Sequence, residues 1–144
     1  MEEEMDQLEY FIYASPEDSE ALYPDNKFTD FVVELPETLY LDGHWEIGLL
    51  EVVYNTNAQK EVHCPMGPSI LFFCDICDES FVRGHRLPVL RKMEKPATFA
   101  PVIYKRVKAC STKRIRLYMT DYDLIPLTLG TWKFKCVLHL RKAI

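Results

Sequence analysis

Hydrophobic and polar side chains alternate with a period of two along much of the chain, which is the pattern of β-strands that bury one face. In segment 131–141 the apolar face holds Trp132, Phe134, Cys136, Leu138 and Leu140. Segment 114–120 alternates in the same way, and 44–54 is apolar on both faces, which favours burial on both sides. Strands are therefore predicted over 10–14, 28–35, 44–54, 69–77, 81–90 (divided around Gly84), 99–107, 114–120 and 131–141.

Clusters of Pro, Asp, Asn and Gly separate the predicted strands and supply the backbone conformations that tight turns require. No segment shows helical periodicity over three turns. About eight short strands separated in this way predict an all-β fold, an antiparallel β-sandwich. Both a jelly roll and an immunoglobulin-like sandwich fit the spacing. We expect residues 1–8 to form an acidic, flexible N-terminal arm and residues 9–144 to form one domain.

The composition is that of one globular domain. The chain has 144 residues, and its 48% hydrophobic content supports a core without metal or disulfides. The longest stretch without a charged residue, Val62 to Cys74, is broken by two prolines, so no membrane span is predicted. The acidic opening does not resemble a secretory signal, and five cysteines are an odd number. We therefore expect a reducing cell interior.

Charge is divided unevenly along the chain. Residues 1–51 contain 15 acidic residues and one basic residue, whereas residues 52–144 contain 16 basic and 7 acidic residues. The sequence favours interleaved strands that average these charges over the surface. A second interpretation is an acidic and a basic flank that associate head to tail into a ring, and a third is nonspecific contact with DNA phosphates. The candidate inter-subunit or nucleic-acid-facing residues are Arg83, Arg86, Arg91, Lys92, Lys105, Arg106 and Lys108.

The cysteines are the strongest candidates for a metal site. His63, Cys64, Cys74 and Cys77 are residue types that bind zinc. However, Cys74 and Cys77 lie at the end of a predicted strand, where residues three apart point to opposite faces. We therefore predict no metal site, and we interpret Cys74 and Cys136 as core residues.

Catalytic motifs are absent from the sequence. The four histidines fall at strand edges or on polar faces, where a solvated side chain is the usual outcome. Asp121 and Asp123 fit a turn between two strands as well as they fit a carboxylate pair. No nucleophile elbow, phosphate loop or metalloprotease helix is present. We predict no catalytic residues, no cofactor and no enzymatic activity.

Several motifs follow one another in a specific order. They are Tyr-Phe-Ile-Tyr at 10–13, Tyr-Pro-Asp-Asn at 23–26, Phe-Thr-Asp-Phe at 28–31, Gly-His-Trp-Glu-Ile-Gly-Leu-Leu-Glu at 43–51, Phe-Cys-Asp-Ile at 73–76, Leu-Pro-Val-Leu-Arg at 87–91, Tyr-Lys at 104–105 and the closing strand 130–141. In order and spacing they resemble a minor capsid protein family of Polinton (Maverick) elements and adintoviruses. The chain departs from this family at Cys77, where the family has an aliphatic residue, at Arg83-Gly84, and over 121–126.

The resemblance implies a single jelly roll that acts as a penton-like subunit at the five-fold vertices of a double-stranded DNA virus capsid. It implies assembly into a homopentamer, contact with a major capsid protein and localisation in the virion. The motif residues that it marks as structural are Pro24, Asp25, Asn26, Gly43, Trp45, Glu46, Gly48, Cys74 and Asp75. The alternative that the sequence leaves open is a non-catalytic β-sandwich module that binds a partner protein or ligand.

Overall fold

The computed structural model describes residues 7–27, 29–54, 69–94, 97–109, 111–127 and 134–143, and this part of the chain forms eleven strands and no helix. The strands are β1 (Glu9–Ala14), β2 (Asp30–Tyr40), β3 (Trp45–Tyr54), β4 (Ile70–Cys74), β5 (Ser80–Val82), β6 (His85–Leu87), β7 (Val89–Met93), β8 (Ala97–Thr98), β9 (Tyr104–Arg106), β10 (Ser111–Asp121) and β11 (Phe134–Lys142). Residues 1–6 of the predicted arm lie outside the described residues.

Two antiparallel sheets form the body of the protein. The first sheet has the order β1-β11-β3-β8, with β9 also paired to β3, and the second has the order β2-β10-β4-β7. The strands β5 and β6 form a separate hairpin. If β8 and β9 are counted as one interrupted edge strand, there are eight principal strands. This count leaves out the β5–β6 hairpin, so the fifth principal strand is β7, the sixth is β8 with β9, the seventh is β10 and the eighth is β11. The first strand then pairs with the eighth, the second with the seventh, the third with the sixth and the fourth with the fifth.

This pairing order is that of a jelly roll, in which one long antiparallel ribbon wraps around a core. An immunoglobulin-like sandwich pairs several strands that are neighbours in sequence, such as its first with its second. Here the fourth and fifth principal strands are the one such pair among the described residues. The fold is therefore an all-β, antiparallel sandwich with jelly-roll order, as predicted.

The core lies between the two sheets, and the predicted alternation produces it. In β11, Phe134, Cys136, Leu138 and Leu140 are all buried, with exposures of 1% or less. The rings of Phe31 and Phe72, from the second sheet, lie 5.8 and 6.4 Å from the ring of Phe134. Burial of one such side chain stabilises a fold by roughly 1.5–3 kcal/mol, so these rings hold the sheets together.

Several strand boundaries differ from the prediction. The strand β2 continues through Pro36 to Tyr40. Proline has no backbone N–H to donate, but β2 is an edge strand and its register with β10 shifts near Pro36, so the strand tolerates this loss. Of the predicted strand 99–107, only Tyr104–Arg106 (β9) is a strand, and a second short strand, β8, precedes the predicted range on the other side of Pro101. The predicted strand 81–90 is the hairpin β5–β6 followed by β7. Arg83 and Gly84, with φ of 50° and 83°, form the two-residue turn of that hairpin.

The loop between β1 and β2 closes the free edge of β2. Asn26 donates from Nδ2 to the Val32 carbonyl (3.0 Å) and accepts at Oδ1 from the Val32 N–H (2.9 Å). Ser19 Oγ accepts from the Glu34 N–H at 2.8 Å. These side chains occupy backbone groups that would otherwise remain free to pair with another strand.

Candidate functional site

The motif residues before β3 build turns and strand edges. Pro24 and Asp25 are exposed in the turn that places Asn26 against β2. Gly43 has a φ of +86°, a conformation that side chains other than glycine rarely adopt. Trp45 is 3% exposed, and its indole N–H donates to the Asp42 carbonyl at 2.9 Å.

Two further motif residues lie where β4 ends. Cys74 is fully buried, and Asp75 Oδ1 accepts a hydrogen bond from the Arg116 N–H at 3.0 Å. Burial raises the pKa of the Asp75 carboxyl, although this hydrogen bond and the nearby Arg116 charge act in the opposite direction. Asp75 therefore ties the end of β4 to β10.

Glu46 and Gly48 lie on the outer face of the first sheet. A side chain at Gly48 would collide with its neighbours, since a Cβ there would lie 2.6 Å from Val102 Cγ1 and 3.0 Å from two ring carbons of Tyr104. The absence of a side chain at Gly48 thus lets the Tyr104 ring lie flat across β3 and extend toward β11.

A chain of polar contacts crosses this outer face. Glu46 Oε1 accepts from Arg141 Nε at 3.0 Å, and the Arg141 guanidinium lies 3.5 Å from the ring centroid of Tyr104. The Tyr104 hydroxyl is 2.8 Å from His139 Nδ1, and His139 Nε2 is 2.7 Å from Glu9 Oε1. We call these five residues the outer-face network. The Phe11 ring stacks on the His139 ring with centroids 4.5 Å apart.

The hydrogen-bonding groups of the outer-face network complement one another. His139 Nε2–H donates to the Glu9 carboxylate, and the Tyr104 hydroxyl donates to Nδ1 when that nitrogen carries no proton and accepts from it when it does. The network joins β3, β9, β11 and β1, so it fastens the edge strand β1 to the rest of the sheet. A carboxylate, an imidazole and a phenol that are hydrogen-bonded in series can relay a proton. The aromatic rings around these groups form a surface suited to contact with a protein.

The prediction of solvated histidines is wrong for His139. Its side chain is only 12% exposed, because Phe11 and Tyr104 cover it and both ring nitrogens have partners. His44 and His85 are exposed as predicted, and His63 lies outside the described residues. A signal for the network was present in the sequence as Gly48 inside an otherwise apolar strand, which marks a close approach.

The cysteines correct one step of the sequence reasoning. Cys74 and Cys77 do not point to opposite faces, because β4 ends at Cys74 and residues 74–77 form a turn that places both thiols in the core. Burial raises the pKa of the Cys77 thiol from 9.0 to about 11, and burial also raises the pKa of Cys74. The Cys77 thiol donates to the Pro88 carbonyl at 3.3 Å. Cys64 lies outside the described residues. In the part of the chain that the structure describes, no group of three or more His, Cys, Asp or Glu side chains could hold a metal ion.

The acidic and basic halves of the sequence interleave. Three ion pairs join them: Arg116 with Asp30 (2.8 Å), Lys113 with Glu34 (3.9 Å) and Arg141 with Glu46 (3.0 Å). This arrangement follows from the jelly roll, which pairs early strands with late ones. The favoured interpretation of the charge division is therefore confirmed, and the two halves do not form separate flanks.

The seven candidate basic residues occupy different environments. Arg83 pairs with Asp123 (3.2 Å) and Lys108 with Glu79 (3.8 Å). Lys105 donates to Ser80, and Arg91 donates to the Pro101 carbonyl while its guanidinium lies over Phe99. The remaining three are exposed and form no ion pair with a described residue: Arg86, Lys92 and Arg106.

Asp121 and Asp123 form a turn after β10. Asp121 is buried, and its Oδ1 accepts from the N–H groups of Asp123 (2.8 Å) and Ile125 (2.9 Å). The interpretation of this pair as turn residues is confirmed.

Neither protein-family models nor curated protein sequences yield a match to this chain. Within the described ranges, no helix is long and apolar enough to cross a membrane.

Proposed function

We propose that this chain is a non-catalytic structural subunit of a viral protein shell. In this role it forms a five-membered ring with copies of itself at a vertex of the virion and contacts a major capsid protein. The observation that carries the proposal is the jelly-roll strand order, which capsid proteins share with lectin domains and cupins. Among these classes, the motif order along the chain favours the capsid role.

The surface chemistry supports an interface built on aromatic and basic side chains. Phe81 is 78% exposed on the hairpin, and Tyr122 is 47% exposed in the turn after β10. The cations of Arg86 and Lys92 lie 5.5 and 5.6 Å from these two ring centroids. Aromatic residues and arginine dominate the binding energy of protein interfaces. We therefore propose one ring contact here, which includes Arg86 and Lys92, two of the three exposed candidate cations without an ion pair to a described residue.

Electron microscopy of the purified protein, alone and mixed with its major capsid protein, tests this function. The proposal predicts five-membered rings, or vertex density in assembled shells that disappears when this chain is omitted. Particles that stay single in both samples would refute it.

A second candidate is a monomeric binding module, which the exposed aromatic residues of β1 favour. Phe11 is 50% exposed and Tyr13 is 74% exposed. A chain that stays monomeric at high concentration and beside the major capsid protein, yet binds another protein, would favour this second function.

A further inference from the structure

One row of backbone groups of β1, at the edge of the first sheet, forms no hydrogen bond with any described residue. The Lys142 N–H donates to the Leu8 carbonyl, and the Ala143 N–H donates to the His44 carbonyl. Backbone direction alternates along a strand, so even-numbered residues of β1 bond to β11 and odd-numbered residues point away from it. The N–H and carbonyl groups of Phe11 and Tyr13 are therefore directed outward, and no described residue bonds to them.

The other sheet edges are closed or short. Asn26 and Ser19 occupy the edge of β2. On the opposite side of the first sheet, β8 and β9 have only two and three residues. In the second sheet, the edge strand β7 carries Arg91 and Lys92. Short length, side-chain cover and charge are the usual means by which proteins protect edges. Of the described edges, β1 has none of these protections at Phe11 and Tyr13.

A groove lies beside the end of β1, on the same outer face. Tyr13 lines it together with Val53 and Val137, which supply apolar surface, and with Asp18 and Glu51, which supply carboxylates. Lys135 also lines the groove. Glu51 and Val53 lie on β3, two strands in from β1, so a strand added outside β1 would reach only the near part of this lining. There, a side chain with an apolar stem and a cationic end would meet the Tyr13 ring and the Asp18 carboxylate.

The charge around β1 selects the kind of strand that fits. The described residues 7–20 include four acidic residues and no basic residue: Glu9, Glu17, Asp18 and Glu20. A second copy of β1 would bring two such acidic segments together, which costs free energy through repulsion. A strand with lysine or arginine beside apolar residues would instead be attracted to this edge.

We propose that β1 is a strand-addition site. An extended, basic and apolar segment of a partner protein pairs with Phe11 and Tyr13 and extends the first sheet by one strand. Backbone hydrogen bonds supply part of the affinity, and the groove beside Tyr13 selects a lysine or arginine side chain. This inference goes beyond the proposed shell function, because peptide binding and ring formation are measured separately and either can fail alone.

The test uses a capped seven-residue peptide that alternates valine and lysine, with binding measured by titration and by amide hydrogen exchange of the full chain. The expected result is saturable binding that slows exchange at the Phe11 and Tyr13 amides. A peptide with glutamate in place of lysine, and a lysine peptide N-methylated on alternate backbone amides, should each bind at least about tenfold more weakly. Equal binding of either control peptide, or no binding of the lysine peptide, would overturn the proposal.

A matched pair of variants separates the backbone from the side chain. Tyr13→Thr and Tyr13→Pro both remove the ring, but only Tyr13→Pro also removes the outward N–H, which β11 does not use. Tyr13→Pro should bind the lysine peptide about tenfold more weakly than Tyr13→Thr. Thermal unfolding of both variants establishes that they fold. Equal affinity of the two folded variants for the lysine peptide would contradict a strand-addition site at β1. So would a dimer of the chain that Tyr13→Pro abolishes and that the peptide does not displace.

A second pair of variants tests the groove. Asp18→Asn and Glu51→Gln keep an oxygen for their contacts with the Ser15 N–H and the Thr98 hydroxyl. Asp18→Asn should weaken the lysine peptide about fivefold at low salt and have little effect on a valine–threonine peptide, whereas Glu51→Gln, on the more distant β3, is the matched control and should leave both affinities unchanged. An equal effect on both peptides would contradict selection of a cation by the groove.

Discussion

Replacement of Gly48 by alanine tests the close packing that holds the outer-face network together. The new Cβ would lie 2.6 Å from Val102 Cγ1 and 3.0 Å from two ring carbons of Tyr104. Overpacking of this kind costs about 1–3 kcal/mol, and the β-branched Val102 has few other rotamers to adopt. Alanine within a strand is otherwise more stabilising than glycine by about 0.5–1 kcal/mol, which offsets part of this cost. At the midpoints of these two ranges, the net loss in the free energy of unfolding is about 1 kcal/mol.

Urea denaturation of four proteins measures this loss: wild type, Gly48→Ala, Val102→Ala and the double variant. Because Val102→Ala removes the atom that collides, the double variant should recover at least about 1 kcal/mol relative to the sum of the single changes. An independent readout is the His139 ring signal in NMR, which should shift in Gly48→Ala as Tyr104 moves, and in the double variant as well, because the new Cβ still lies 3.0 Å from two ring carbons of Tyr104. A Gly48→Ala protein as stable as wild type, or a double variant that is simply additive, would refute the reasoning.

Three further predictions concern the edge of β2, a buried thiol and the exposed cations. Asn26→Ala should reduce the free energy of unfolding by about 1–3 kcal/mol, because two backbone groups of β2 lose their partner; a loss below about 0.5 kcal/mol in urea denaturation would contradict this. The pKa of Cys77 is raised to about 11, so the unfolded chain loses this proton first as pH rises above 9.0, and stability should fall between pH 9 and 11. The fall should be smaller in the Cys77→Ala variant. Equal slopes of the free energy of unfolding against pH for the two proteins would show that the Cys77 thiol does not cause the fall. Charge reversal of Arg86, Lys92 and Arg106 together should weaken ring assembly in a salt-dependent way without unfolding the chain, as checked by sedimentation and circular dichroism; unchanged assembly at low and high salt would exclude a role for these charges.

The sequence alone predicts the local parts of the fold well. Alternation in 114–120 and 131–141 depends on neighbouring residues only; 114–120 and the described part of the second segment, from Phe134, are strands that bury the predicted face, and Trp132 lies outside the described residues. The break at Pro101 and the extension of β2 past Pro36 were not predicted. The effect of a proline depends on whether its strand lies at an edge, and tertiary pairing decides that.

The candidate site was predicted only in part. Glu46, Gly48, Tyr104 and His139 fall within the motifs of the sequence, whereas Glu9 does not, and no local signal shows that these residues meet. His139 lies 130 residues from Glu9 and 35 from Tyr104, and these contacts exist because the jelly roll pairs the first strand with the last. The free edge of β1 is equally nonlocal, since the direction of its backbone groups depends on register with β11.

The mass of the purified chain in solution tests the central claim most directly. Light scattering, first on the chain alone and then with its major capsid protein, should find a ring of about 85 kDa, five times the 16.9 kDa of one chain. A mass near 16.9 kDa at every concentration, unchanged by the major capsid protein, would contradict the account.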